Sequence, residues 1–441
     1  EPTGAGFPRP PLAPGWLLVP FVEVWGFDVG YKLWSGLVSL APALPVYFFA
    51  RRIQVARLGL PQATPAIFAV GFLLLDWLHA EMLVTGALPL LAFGLLGMVW
   101  WGMVRLSEEP SKRNAAILAI CLALIPWVNQ TTAGLAIVTI PAFALPLLWF
   151  NRGQWAIIAK RWALPLVIGG IGALGALPWY TTVLPVSGVL NYPGPFVYLT
   201  PWTDSSWLQL GLGWAVGGYL WWRAGAPWIR SLGFLIALLA SLTVFLSTDE
   251  TMINIFYRSR YLIAIPFYIG ISWIVFTKWM PKSRKTLWLP AGLMAMAAAI
   301  MLVGYTWQFN NQAGYSRMVS ADTETALDLM DNDKAIINNS FTLALWISAR
   351  QGVESPHTWT WQPPPKWTET DKNVRCVLGW VPECQVCDSI GYLNAGWILL
   401  EKRFPYYNNR APGVYKSPNV LEPWANLPEV PWLTLFYARG T

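Results

Sequence analysis

Three ionisable residues stand close together at the end of an apolar run: Asp76, His79 and Glu81, in the sequence LLLDWLHAEML. Ionisable residues at membrane depth are costly and usually face a cavity or a partner. Asp76 and His79 are three residues apart, so they share a helix face. Two carboxylates and an imidazole could hold a divalent cation or supply a general base, which makes all three residues candidate catalytic groups. The alternative is an interfacial polar patch where a helix leaves the bilayer.

A second polar group, STDETMINIFYRSRYL, separates two later apolar runs. Asp249 and Glu250 leave the first run and are candidate ligands of a divalent cation, Mg²⁺ or Mn²⁺. Arg258, Arg260 and Tyr261 open the next run. The guanidinium fork matches phosphate oxygens, so these three residues are candidates for binding a lipid-linked phosphate. Alternatively, the two arginines pair with the two acids as a structural clamp.

The rest of the sequence is typical of a polytopic membrane protein. Of its 441 residues, 55% are hydrophobic and only 12% are charged, against about 25% charged in soluble domains. Apolar runs long enough to cross a bilayer core of roughly 30 Å alternate with short polar segments. About ten transmembrane helices are predicted, at 31–50, 62–79, 82–104, 114–128, 132–150, 162–180, 207–222, 231–247, 259–277 and 287–304. Some of these runs are short, and a re-entrant segment within 114–128 and 132–150 is the alternative for that pair.

Basic residues fall on alternate connections between these runs. Fifteen of the 19 Lys and Arg residues in 1–304 lie on one side, which the positive-inside rule identifies as the cytoplasm. They are Arg51, Arg52, Arg57, Arg105, Lys112, Arg113, Arg152, Lys160, Arg161, Arg223, Arg230, Lys278, Lys282, Arg284 and Lys285. Both polar groups then lie on the outer side. The basic balance indicates orientation and contact with membrane lipid, and it does not indicate nucleic-acid binding.

Three regions are predicted. Residues 1–30 form an outer loop and an interfacial helix at 15–27, which is too short to span. Residues 31–304 form the transmembrane domain. Residues 305–441 form an extracytoplasmic, periplasmic α/β domain, with strands in NDKAIINNS, GWILLEKRF and WLTLFYARG.

Three cysteines, Cys376, Cys384 and Cys387, lie in that last domain. One disulfide with one thiol left over is the prediction for an oxidising compartment. A zinc knuckle with His357 is the alternative.

Four features together resemble the polytopic membrane glycosyltransferases of the C-type fold, which use polyprenyl-phosphate sugars. The start of the chain, FPRPPLAPGWLLVPFVEVWG, matches their Pro-rich outer loop and interfacial helix, and the following span ends in YFFARR. The pair His79 and Glu81 matches an outer His-x-Glu motif, and RSRYLIAIPF matches an Arg-Tyr start of a late span. The closing α/β domain fits the same pattern, so the resemblance covers nearly the whole chain.

The resemblance implies transfer of a hexose or pentose from a polyprenyl-phosphate carrier. The reaction would take place at the outer face of the bacterial inner membrane. It assigns His79 and Glu81 to the second acidic/histidine motif, and Arg258 and Arg260 to phosphate binding. It also implies a catalytic acid in the first outer loop, after an upstream span, of which Glu1 is the candidate remnant. The alternative function is a non-catalytic scaffold subunit of the same fold, with protein partners in a membrane complex.

Overall fold

The computed structural model describes most of the first two thirds of the chain and separate parts of the remainder. The described residues are 12–76, 88–178, 204–246, 259, 261–280, 327–328, 334–338, 347, 355, 369–377, 385–401 and 433–437. The chain divides into two compact units, Pro8–Thr306 and Trp307–Thr441, the second together with Glu1–Phe7. The finer boundaries at residues 30 and 304 stay predictions.

The first unit is helical. Its described helices are α1 (Leu12–Ser39), α2 (Ala43–Ala50), α3 (Thr64–Leu75), α4 (Leu88–Glu108), α5 (Lys112–Val128), α6 (Gln130–Phe150), α7 (Trp155–Leu174), α8 (Asp204–Arg223), α9 (Pro227–Leu246) and α10 (Ala264–Ile274). A short 3-10 helix, Ala56–Leu58, precedes α3, and a π-helix, Val275–Trp279, continues α10.

Four described stretches are long and apolar enough to cross a membrane: Leu33–Ala50, Pro89–Glu108, Thr131–Phe150 and Trp155–Leu174. Shorter apolar helices include Thr64–Leu75 and Pro227–Thr243. The prediction of a mostly helical protein with several membrane-length apolar helices is therefore confirmed. The number of ten spans stays a prediction, because the last of them, 287–304, lies outside the described residues.

The first helix bends at Gly26, where the interfacial segment predicted at 15–27 ends. Gly26 has φ 73° and ψ 169°, a conformation that glycine adopts without the steric cost other residues meet. Apolar side chains before the bend are exposed, among them Leu17 and Val24. The bend therefore separates the interfacial stretch from the membrane-length stretch that begins at Leu33.

Several helices begin earlier than the predicted spans, and the largest such shift is in α7. This helix begins at Trp155 rather than near residue 162, so Lys160 and Arg161 lie within its first turns instead of in a preceding loop. Arg161 extends from the helix and its Nη1 donates to the Ser107 carbonyl oxygen at 2.7 Å. A long basic side chain can lie along a helix while its charged group reaches a polar partner.

Contacts join the basic clusters at one end of the helices, which we call the basic end. The Arg52 guanidinium, after α2, forms an ion pair with Glu108 at the end of α4. Arg161 of α7 reaches the same end of α4. The Arg230 guanidinium of α9 lies 4.4 Å from the ring centroid of Phe150 at the end of α6. Clusters that are far apart in sequence are therefore neighbours in space.

Helices α8 and α9 cross at a pair of glycines. A Cβ atom added at Gly217 would lie 2.7 Å from the Gly233 carbonyl oxygen and 2.9 Å from the Ala237 amide nitrogen. A Cβ added at Gly233 would meet the Gly217 carbonyl oxygen at 2.7 Å. Small residues allow membrane helices to approach this closely.

We expect Gly217→Ala to lower the free energy of unfolding by about 1–3 kcal/mol, because the added methyl group meets backbone atoms that cannot move aside cheaply. The measurement is thermal unfolding of the purified protein in detergent. The matched control is Gly218→Ala, where nothing lies within 4 Å of the added Cβ. Equal stability of the two variants would contradict the close crossing.

The second unit contains a three-stranded sheet. Strands β1 (Ala335–Asn338) and β2 (Ala395–Glu401) pair in parallel, and β3 (Leu433–Tyr437) pairs antiparallel to β2. Helices α11 (Glu369–Val377) and α12 (Val386–Tyr392) lie between β1 and β2 in sequence. Strands β1 and β3 fall inside segments for which the sequence predicts a strand, and β2 begins one residue before its predicted segment. That the whole of 305–441 is an extracytoplasmic α/β domain stays a prediction.

Cys376, in α11, is buried and disulfide-bonded. Cys384 lies outside the described residues, as does the side chain of Cys387. The sequence predicts one disulfide and does not choose between these two cysteines as the partner of Cys376.

Candidate functional site

The candidate site begins with the packing of α3 against α10. The Ser272 hydroxyl donates to the Pro65 carbonyl oxygen at 2.9 Å near the start of α3. Near the end of α3, the rings of Phe72 and Tyr268 stack with centroids 6.2 Å apart. Pro65 and Phe72 are on one helical face, as are Tyr268 and Ser272, because three- and four-residue steps return to the same side. This face brings the end of α3 to Tyr268.

Asp76 ends α3 and its side chain is buried. The backbone of Asp76 leaves the helix in an extended conformation, with φ −68° and ψ 132°. The side chain is only 9% exposed, and the Tyr268 hydroxyl donates a hydrogen bond to Asp76 Oδ2 at 2.8 Å. A buried carboxylate is costly unless it is hydrogen-bonded, and hydrogen bonds to charged groups are worth about 1.5–3 kcal/mol. Tyr268 thus stabilises and orients the Asp76 carboxylate.

Asp76 lies away from the basic end. Gln62, just before α3, donates through Nε2 to the Arg51 carbonyl oxygen at 2.6 Å, so α3 begins at the basic end. Its 12 residues at about 1.5 Å of rise each carry the chain about 18 Å before Asp76. The carboxylate therefore lies at the end of α3 that is farther from the basic end, as the charge pattern predicts.

A second polar contact anchors the residue between the two predicted phosphate-binding arginines. The hydroxyls of Ser259 and Thr243 are 3.1 Å apart, and both side chains are buried. Thr243 also donates to the Leu239 carbonyl oxygen of α9 at 2.7 Å. The start of the last described span is thereby fixed to α9.

Tyr261, predicted to bind phosphate, is buried in the apolar cluster with 4% of its surface exposed. The phosphate-binding role of Tyr261 stays a prediction. The remaining predicted site residues lie outside the described residues: His79, Glu81, Asp249, Glu250, Arg258 and Arg260. Whether they converge on Asp76 stays a prediction as well.

The described residues alone do not make a metal centre. Within this part of the chain, no group of three or more His, Cys, Asp or Glu side chains lies close enough together to hold a metal ion. Mg²⁺ and similar cations require about six oxygen ligands, and Asp76 with Tyr268 supplies too few. Other ligands would have to come from the predicted acids.

Sequence reasoning identified Asp76 and missed Tyr268, Thr243 and Ser259. A buried ionisable residue in an apolar run is conspicuous, whereas a hydroxyl in a membrane helix commonly bonds to its own helix. Tyr268 is separated from Asp76 by 192 positions, so no local spacing connects them. The available signal was the presence of polar side chains in otherwise apolar helices.

We expect Tyr268→Phe to lower the free energy of unfolding by about 1–3 kcal/mol, because the ring remains while the Asp76 carboxylate loses the hydrogen bond from the Tyr268 hydroxyl. A double-mutant cycle with Asp76→Ala, which removes the acceptor, should show a coupling free energy of about 0.5–3 kcal/mol by thermal unfolding. The control is Tyr219→Phe, in the half-buried position on α8, which should show no coupling to Asp76. Strictly additive effects of Tyr268→Phe and Asp76→Ala would contradict the assigned contact.

Known structures share this helical architecture. ArnT from Cupriavidus metallidurans, whose crystal structure is bound to undecaprenyl phosphate, superposes with a TM-score of 0.53 at 15% identity, over 89% of this chain and 83% of ArnT. The oligosaccharyltransferase of Archaeoglobus fulgidus, in a complex with Zn and sulfate, gives 0.52 at 11% identity, over 95% of this chain and 63% of that protein.

No protein-family model matches the sequence, and no curated protein matches it. At these identities the likeness concerns the fold. The resemblance found in the sequence is confirmed at that level, and the chain has the C-type glycosyltransferase fold.

Proposed function

We propose that this protein is an integral-membrane glycosyltransferase that moves a sugar from a polyprenyl-phosphate carrier to an acceptor. The observation that carries the proposal is the buried Asp76 carboxylate, oriented by Tyr268 at the less basic end of α3. The C-type fold and the undecaprenyl phosphate bound to ArnT support the class of carrier.

In the proposed reaction, Asp76 is the general base. The acceptor nucleophile attacks the anomeric carbon of the sugar, and the bond from that carbon to the carrier phosphate oxygen breaks with its electron pair going to the phosphate. The acceptor proton passes to the Asp76 carboxylate, which is held in position by the Tyr268 hydroxyl. His79 and Glu81 are proposed to complete this acid–base group.

The carrier phosphate is proposed to bind Arg258 and Arg260, with Tyr261 beside them. Ser259, between the two arginines in sequence, is fixed to Thr243, which supports a defined position for this segment. Charge-assisted bonds from guanidinium groups would stabilise the phosphate that leaves.

A divalent cation is proposed to bind at Asp249 and Glu250, where it would neutralise phosphate charge. The Zn and sulfate in the complex of the Archaeoglobus fulgidus oligosaccharyltransferase are compatible with this. The location is proposed to be the bacterial inner membrane, with residues 305–441 on the periplasmic side.

Proteoliposomes containing the purified protein test the proposal. The donor is a radiolabelled sugar linked to undecaprenyl phosphate. We expect its transfer to a lipid or peptide acceptor at a rate well above that of liposomes without protein. Absence of transfer across a panel of hexosyl and pentosyl carriers, from a protein with normal thermal unfolding, would reject the enzyme and favour the scaffold function.

A further inference from the structure

The basic end carries much more positive charge than its own acids neutralise. Within the described residues, its helix ends and connecting segments hold twelve Lys and Arg residues and only two acids, Glu108 and Glu109. Both acids are already paired: Glu108 with Arg52 and Arg105, and Glu109 with Arg105. The other basic side chains of this end are left to attract anions from outside the protein.

Two neighbouring arginines at this end have different surroundings. Arg52 packs against neighbouring helices. Its guanidinium lies 5.5 Å from the Trp101 ring centroid and 5.3 Å from that of Trp228, and it forms the ion pair with Glu108. Arg51 is exposed and makes no ion pair within the described part of the chain; its guanidinium lies 5.9 Å from the centroid of the Tyr47 ring. Arg51 therefore keeps hydrogen-bond donors available, next in sequence to an arginine whose guanidinium is held by these contacts.

An exposed apolar strip leads to Arg51. Leu37, Leu40 and Leu44 are 58%, 46% and 54% exposed. With Tyr47 and Arg51 they follow at three- and four-residue intervals, which places them on one side of the helical path. From Leu40 to Arg51 the rise is about 16 Å, close to the depth of one leaflet of a core roughly 30 Å thick.

We propose that this strip and Arg51 form a binding site for one anionic phospholipid in the leaflet at the basic end. The phosphate of the headgroup accepts hydrogen bonds from the Arg51 guanidinium, whose fork matches two phosphate oxygens. An acyl chain lies along the three leucines. The charge of Arg51, which no acid neutralises within the described residues, selects a headgroup with net negative charge over a zwitterionic one.

Native mass spectrometry of the full chain tests this site. The protein in detergent is mixed with equal amounts of dioleoylphosphatidylglycerol and dioleoylphosphatidylcholine. The detergent is then removed in the mass spectrometer, and the lipid that stays bound is measured. We expect the wild type to retain the anionic lipid about fivefold better, the selectivity that about one unit of surface charge provides. Arg51→Gln should remove most of this preference. The control Arg152→Gln, at an exposed position between α6 and α7 that makes no ion pair within the described residues, should keep it.

A second pair of variants tests the apolar strip. Leu44→Gln should lower retention of the anionic lipid, whereas Ile137→Gln, at a 76% exposed position on α6, should leave it unchanged. Equal retention of the two lipids by the wild type would overturn the proposal, as would equal losses in Arg51→Gln and Arg152→Gln. Full displacement of the lipid by soluble glycerol phosphate would show an anion site without a lipid site and would also overturn it.

Discussion

Replacing Asp76 with Asn is expected to lower the rate of sugar transfer about 100-fold or more, the range in which general-base catalysis contributes. Asn has nearly the same size and still presents an oxygen to the Tyr268 hydroxyl, which donates to Asp76 in the native protein. The amide cannot take up the acceptor proton. The measurement is the initial rate of transfer in proteoliposomes, beside the thermal unfolding of each variant.

The matched control is Asp388→Asn, at an exposed position in α12 of the second unit. It removes one carboxylate charge outside the proposed acid–base group, and it should keep the wild-type rate. The contradicting result is an Asp76→Asn variant that unfolds at the same temperature as the wild type and still transfers sugar at more than half the wild-type rate. That result would show that Asp76 is not the general base. General-base catalysis would then have to be assigned to another group.

Replacing Arg258 and Arg260 together with Ala is expected to weaken binding of the polyprenyl-phosphate carrier about 100-fold or more. Each charge-assisted hydrogen bond to the phosphate contributes about 1.5–3 kcal/mol. Lys in place of each Arg should give a smaller loss, because the charge remains while the bidentate fork is lost. The measurement is the equilibrium binding of undecaprenyl phosphate to the purified variants.

Arg57→Ala serves as the control for this pair, because it removes an exposed arginine at the basic end. Carrier binding to Arg57→Ala should equal that of the wild type. The double Ala variant could instead bind the carrier as tightly as the wild type and unfold at a lower temperature. This result would identify the two arginines as the structural clamp with Asp249 and Glu250. The scaffold function would then be favoured over the enzyme.

Charge and hydropathy predicted the features that depend on the membrane. An Arg buried in hydrocarbon is too costly to occur at random, so basic clusters mark helix ends, and Arg52, Arg161 and Arg230 indeed meet neighbouring helices at one end. Boundaries were less predictable, because Lys160 and Arg161 were excluded from a helix that contains them. The end of the interfacial segment near residue 27 was predicted, whereas the positive φ of Gly26 that produces the bend was not.

Half of the central pair in the candidate site could be found from the sequence. Asp76 is a costly charge in an apolar run and identifies itself, whereas Tyr268 is one of several aromatic residues in an apolar helix. Its role depends on how α3 meets α10, and that packing is fixed by contacts such as Phe72 with Tyr268 and Ser272 with Pro65. Long-range pairing of this kind has no local spacing to reveal it.

Photo-crosslinking with a polyprenyl phosphate that carries a diazirine beside the phosphate tests whether the carrier binds at Asp76. We expect labelled peptides that contain Asp76 or Tyr268, and less labelling when unmodified undecaprenyl phosphate competes. Labelling confined to peptides from the basic end, around Arg52 and Glu108, or labelling that the competitor does not reduce, would contradict the proposed site.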